Sequence, residues 1–143
     1  MSQISEKVRV ALYAKLNVSG VTSLATGGVF YHHAPNNTST PYLVFDRVAP
    51  GAVSRVVFGS LILEDDLWQL KAIVSEGDST TKEPVQLAQE ILAATETAHG
   101  DTLTLSGNTV EYMKRVSDIP GYKELVNDRW IYHEGYNLRI QTS

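Results

Sequence analysis

The sequence contains no cysteine, which removes disulfides, thiolate metal sites and cysteine nucleophiles together. That composition fits a reducing compartment. Basic clusters are also missing. Twelve Lys and Arg stand against sixteen Asp and Glu, for a formal net charge of −4, and no basic run is longer than Lys114-Arg115. A protein that grips nucleic acid through counterion release shows a basic face, so sequence-specific DNA or RNA binding is not expected. Long apolar runs are absent too, and no stretch approaches the roughly 20 residues of a membrane-spanning helix. The N-terminal segment interleaves Glu6, Lys7, Arg9 and Lys15 with its apolar residues, unlike the unbroken core of a secretory signal. The glycosylation-type triplets beginning at Asn17, Asn36 and Asn37 are therefore read as chance matches.

What is present suffices for one hydrophobic core. The chain has 143 residues, 43% hydrophobic and 20% charged, an ordinary globular balance at about the modal size of a domain. No repeat, linker or low-complexity tract divides it, so residues 1–143 read as a single domain.

Ile4, Val8, Ala11, Leu12 and Leu16 recur at helical spacing and predict a helix over 4–16. Gly27-Gly28 breaks the chain before a short strand, Val29–His32, and a longer one, Tyr42–Val48, which Pro41 opens. Val53–Leu63 is β-branched, apolar and interrupted by Gly59, which reads as extended chain. Across Asp66–Ser75, Trp68, Leu70, Ala72 and Val74 alternate with Gln69, Lys71 and Ser75; Ile73 is the exception on the polar side. Thr80 and Glu83 form a capping-box pattern before a second helix at 82–97, striped by Val85, Ala88, Ile91, Leu92 and Thr95 and closed by Gly100. Thr102–Leu105, a turn at Ser106-Gly107-Asn108 and Thr109–Val116 read as a hairpin. Ser117–Asp128 reads as a loop. Trp130–Gln141 is a final strand, with Trp130, Tyr132, Tyr136, Leu138 and Ile140 on one face. Connections this short favour antiparallel pairing. The expected fold is α+β, a mainly antiparallel sheet with two helices packed on one face.

Chemistry-bearing patterns are sparse. His32 and His33 are adjacent, so on a strand they point to opposite faces and cannot share a metal. The Glu64-Asp65-Asp66 triplet lacks calcium-loop spacing; it reads as a solvated turn that discourages edge pairing or as a patch for subunit contact. There is no G-x-S-x-G elbow, and Ser106-Gly107 belongs to a turn. Gly27-Gly28 precedes a strand, where a phosphate loop would follow one. No catalytic residue, metal or cofactor is expected.

Taken in order, the segments carry a resemblance: an N-terminal helix, a Gly-Gly break into VFYHHAP, then TPYLVF, the Trp-bearing DDLWQLKAIV, the helix EPVQLAQEILAATETA, LTLSG and a strand, and DRWIYHEGYNLRI beginning at Asp128. This set resembles the tail-terminator (tail-completion) proteins of long-tailed bacteriophages over nearly the whole chain. The resemblance implies a non-enzymatic virion subunit, assembled in the host cytoplasm into a ring, typically a homo-hexamer, at the head-proximal end of the tail. Such a ring ends tail-tube polymerisation and docks the head-completion or connector protein, while DNA passes through its lumen without sequence-specific binding. It implies no catalytic residues.

A closed ring needs two different patches on each subunit. The apolar, Gly-broken segment supplies one candidate, with Val56, Val57, Phe58 and Leu61 at its centre. Arg47 and Arg55 are placed to pair with Glu64, Asp65 or Asp66 of a neighbour. Two other readings stand beside this one. The first is a head-completion or connector protein of the same neck. The second is a small ferredoxin-like enzyme or ligand-binding protein, which would draw His32, His33, Glu111 and His133 into one pocket.

Overall fold

A computed structural model describes residues 3–55 and 62–143. Helix α1 (Gln3–Leu16) follows its apolar spacing, burying Val8, Leu12 and Leu16 on one stripe with Ser5. A single turn, α2 (Ser19–Thr22), buries Val21. Strand β1 (Val29–Tyr31) leads through the 32–41 loop to β2 (Tyr42–Arg55), which pairs with β3 (Ile62–Ser75). Helix α3 (Pro84–His99) follows, then β4 (Val110–Val126) and β5 (Arg129–Thr142).

Helix α3 buries Leu87, Ala88, Ile91, Leu92, Thr95 and His99. The anticipated capping box is not made. Glu83 caps the helix in an extended conformation without a side-chain hydrogen bond, and the Ser79 hydroxyl instead accepts the N–H groups of Thr81 and Lys82. Pro84 explains the shift: its ring pushes the preceding residue out of the helical region, so the helix cannot begin at 82. Gly100, at φ +62, ends it.

The sheet has the order β1-β2-β3-β5-β4. All neighbours are antiparallel except β1 and β2, which run parallel with Val29 opposite Leu43. The fold is thus α+β, as expected. On β3 the predicted alternation is obeyed: Trp68, Leu70, Ala72 and Val74 are fully buried. They form one core with Tyr136, Leu138 and Ile140 of β5 and with the buried stripes of α1 and α3. Ile73, the exception in the pattern, lies between Tyr42 of β2 and His133 of β5 on the opposite face, and these neighbours bury it. No described helix covers that face.

The C-terminal third departs from the sequence reading. Thr102–Leu105 forms no strand, and Ser117–Asp128 is not a loop. Residues 110–126 form the longest strand, β4, joined to β5 by Asn127-Asp128 with φ of +50 and +63. Two consecutive left-handed residues make the hairpin turn whose twist suits the flanking strands. Register shifts at Val110/Tyr112, Arg115/Ser117 and Ile119/Tyr122 break the two-residue period, which hides the part of the strand beyond Val116 from pattern reading.

Candidate functional site

Three of the charged residues singled out for subunit contact, Arg47, Asp65 and Asp66, are engaged inside their own chain. Ser5 of α1 donates its hydroxyl to Asp66 Oδ2 at 2.6 Å, and Arg47 Nε reaches Asp66 Oδ1 at 3.2 Å. Asp66 is only 2% exposed, so this triad ties α1 to β2 and β3 within the core layer. Its neighbour Asp65 points to the other face, where Arg139 Nε donates to both carboxylate oxygens at 2.9 and 3.0 Å. Gln141 adds a bond at 3.3 Å. The Arg139 hydrogen bonds hold the Asp65 carboxyl below its ordinary range, against a smaller opposing effect of burial. Glu64 sits opposite Thr142, at the last β3–β5 position. Arg55 is the last described residue of the β2 arm, opposite Ile62. Val56, Val57, Phe58 and Leu61 lie outside the described residues.

The four residues a ligand pocket would require do not converge. His32 Nδ1 lies 3.0 Å from Asp46 Oδ2 on the exposed surface, with the His33 ring edge-on to it at 5.4 Å. Glu111 sits at the far end of β4, accepting the Ser143 hydroxyl. His133 is about eight positions away along β5, roughly 25 Å at strand rise. No described group of three or more His, Asp or Glu side chains could hold a metal ion.

Two polar clusters that pattern reading did not anticipate are built instead. In the core, His99 Nδ1 donates to the Gly100 carbonyl at 2.6 Å, which leaves Nε2 to accept the Tyr136 hydroxyl at 2.8 Å. Thr95 Oγ1 is also 2.8 Å from that hydroxyl, and the Arg115 guanidinium lies over the Tyr136 ring at 4.5 Å. Burial lowers the His99 pKa and raises that of Tyr136, so both are neutral near pH 7. This is a satisfied core network, remote from solvent.

The second cluster lies on the open face. After the Ile119/Tyr122 shift, Tyr122 stacks on the His133 ring at 4.5 Å and an interplanar angle of 4°. Lys71 Nζ donates to the Tyr122 hydroxyl at 2.7 Å. His133 Nε2 donates to Glu124 Oε1 at 2.7 Å, while its buried Nδ1 has no partner. Burial lowers the His133 pKa, opposed by Glu124 and assisted by the like charge of Lys71. Because Tyr122 and Glu124 fall in a segment that reads as a loop, nothing in the sequence pairs them with His133.

The remaining features are surfaces suited to docking. At the β4–β5 end, Leu125 and Trp130 face each other across the ladder at 57% and 48% exposure, with Val126 beside them. Along α1, Val10, Ala11 and Ala14 form a groove of about 340 Å³ with Thr104 and Leu105. Lys7 holds the far wall through bonds to the Ser106 carbonyl and Asn108 Oδ1 at 2.5 and 2.7 Å. Among the described residues, no nucleophile, base and oxyanion donor come together; the α3–β4 cleft brings Glu96 and Asp118 onto Arg115 as ion pairs.

No protein-family model matches this chain, and no curated protein matches it in sequence. Solved structures do share its fold. A chain from the virion of a native gene transfer agent particle is similar over 99% of both chains, with a TM-score of 0.63 and 15% identity. A second solved protein, bearing no descriptive name, is similar over 97% of this chain and 96% of its own, with a TM-score of 0.59 and 12% identity. At these identities the likeness establishes a common fold, carried end to end.

Proposed function

We propose that this protein is a non-enzymatic structural component of a phage-like virion. The observation that carries the reading is the end-to-end likeness to a chain of the gene transfer agent virion, which matches 99% of each partner. Apolar surfaces at two separate places, the β4–β5 end and the α1 groove, support a role in assembly. Two unlike patches on one subunit suit the heterologous contacts of a closed ring.

More finely, the order of segments supports a single-domain tail terminator. Its homo-hexameric ring at the head-proximal end of the tail stops growth of the tail-tube protein and receives the head-completion or connector protein, after assembly in the host cytoplasm. A net charge of −4 suits a lumen through which DNA slides without adhering. We propose that one ring contact involves the β2–β3 arms, with Arg55, Val56, Val57, Phe58, Leu61 and Glu64 as its candidate residues. Arg47, Asp65 and Asp66 belong to the same proposed contact region, and they brace it through their bonds within the subunit.

Particles assembled without this protein test the reading. Overlong tails are the expected result. Full-length tails on heads that leak DNA would move the protein to the connector. Normal particles, together with only monomers by native mass spectrometry in the presence of tail-tube protein, would overturn the structural role.

A further inference from the structure

The distal half of β4 is an edge with little to hold it. Residues 120–126 are all exposed, and beyond the ladder to β5 their described anchors are the Tyr122–His133 stack, the Glu124–His133 bond and the Lys71–Tyr122 bond, whereas Arg129 and Trp130 across the turn are held by Glu76. Three of these four side chains meet at or beside one imidazole. That imidazole is buried, and its chemistry is one-sided. Glu124 can only accept, so it fixes the proton of neutral His133 on Nε2. Nδ1 then carries a lone pair with no partner, an arrangement of small cost. A second proton would create a buried N–H donor with no acceptor, which costs the full desolvation of that group.

We infer that His133 is an acid-released latch, holding the free edge strand flat on the sheet near neutral pH and releasing the distal half of β4, with Leu125, when the imidazole is protonated. The charged and titratable groups facing it are few. Lys71 of β3 repels the imidazolium, Glu124 of β4 attracts it across a bond half open to water, Tyr122 covers the ring, and Tyr42 of β2 lies one residue further across Ile73. Burial and Lys71 together outweigh Glu124, which places the protonation of His133 below the ordinary histidine range. The inference concerns this chain alone and does not depend on the virion reading.

Hydrogen exchange of the intact protein, corrected for intrinsic rates, tests it. Between pH 7.5 and 5.5 the hydrogen-bonded amides of Tyr122–Val126 should lose up to roughly tenfold in protection, the limit set by one pH unit below the free imidazole value. Helix α1 amides should hold theirs to within about twofold. His133→Phe retains a flat ring against Tyr122 and removes the titration, so its β4 protection should not respond to pH. Equal loss in α1 and β4, or an unchanged pH response in His133→Phe, would overturn the latch. Should that variant fail to fold, an NMR titration of His133 in the unmodified protein decides the matter. A midpoint clearly below 6.5 supports the latch, and one at or above it sinks the proposal.

Discussion

The two faces of this sheet solve the same problem by opposite means. On the helix-covered face, fully buried Trp68, Leu70, Tyr136 and Leu138 exclude water, and two polar clusters, Asp66 with Ser5 and Arg47 and Tyr136 with His99 and Thr95, are answered by several partners each, while the Trp68 Nε1 has none. On the open face, single-layer contacts do the work: Asp65 with Arg139, Lys71 with Tyr122, Glu124 with His133. The difference teaches where stability is concentrated and where the surface is left free for other molecules. Interior contacts are costly to break because nothing replaces them, whereas water stands in for most contacts on the open face.

Tryptophan substitutions should display the contrast most strongly. Trp68→Ala removes a fully buried ring from the centre of the core and should lower unfolding free energy by about 3–5 kcal/mol, read from urea denaturation with an unchanged slope. Unfolding within 1 kcal/mol of the parent would mean that Trp68 is not the keystone its burial indicates. Adjacent aspartates supply the next comparison. Asp66→Ala strands Arg47 against the core layer and should cost about 3 kcal/mol. Asp65→Ala breaks a pair whose arginine is half exposed and should cost less than about 1 kcal/mol. Similar losses for the two would erase the distinction between the faces.

Acid should erode both faces in the same direction. For His99 and His133 the folded-state pKa lies below the ordinary value near 6.5, so between the two values the unfolded chain binds more protons than the folded one. Unfolding free energy then falls as pH drops through 6.5 toward the folded pKa, and the contribution is fully present above 6.5. Around His99 the neighbouring groups are Glu96, Tyr136, Thr95 and Arg115. Denaturation midpoints measured from pH 7.5 to 5 should decline, and His99→Gln should flatten part of that slope. Rising stability across this interval would contradict the burial of both imidazoles.

Legibility in the sequence follows the same division. Where one face is buried, periodicity reports it: Val8, Leu12 and Leu16, the Ile91–Thr95 stripe, and Trp68 through Val74 all fall where spacing places them. The second part of strand β4, from Ser117 on, was not legible because water reaches both of its faces and register shifts scramble the alternation, whereas its start falls within the strand read at Thr109–Val116. Its turn, Asn127-Asp128, was readable in principle as a two-residue hairpin signal, had strands been recognised on both sides. The capping box at Thr80 is not made because Pro84 restricts Glu83 to extended backbone, which the spacing of Thr80 and Glu83 does not report. The parallel pairing of β1 with β2 depends on how the 32–41 loop returns, which no local pattern encodes. The open-face cluster was invisible for a related reason, since it joins Lys71 and His133 to Tyr122 and Glu124, which lie in the part of β4 that reads as a loop.

The smallest expected effect on stability separates folding from assembly. Trp130 shares a face with Tyr136 and Leu138 but extends past the end of β3, and it remains 48% exposed. Removing it leaves no cavity in the core, so Trp130→Ser should change unfolding free energy by no more than about 0.5 kcal/mol. A large aromatic left at a surface beside Leu125 and Val126 is nonetheless the kind of anchor that dominates interface energy. If the β4–β5 end is an assembly contact, sedimentation of Trp130→Ser should show smaller species than the parent at equal concentration, while urea midpoints coincide. Loss of stability without a change in assembly would assign Trp130 to the fold instead, and the β4–β5 end would cease to be a docking surface.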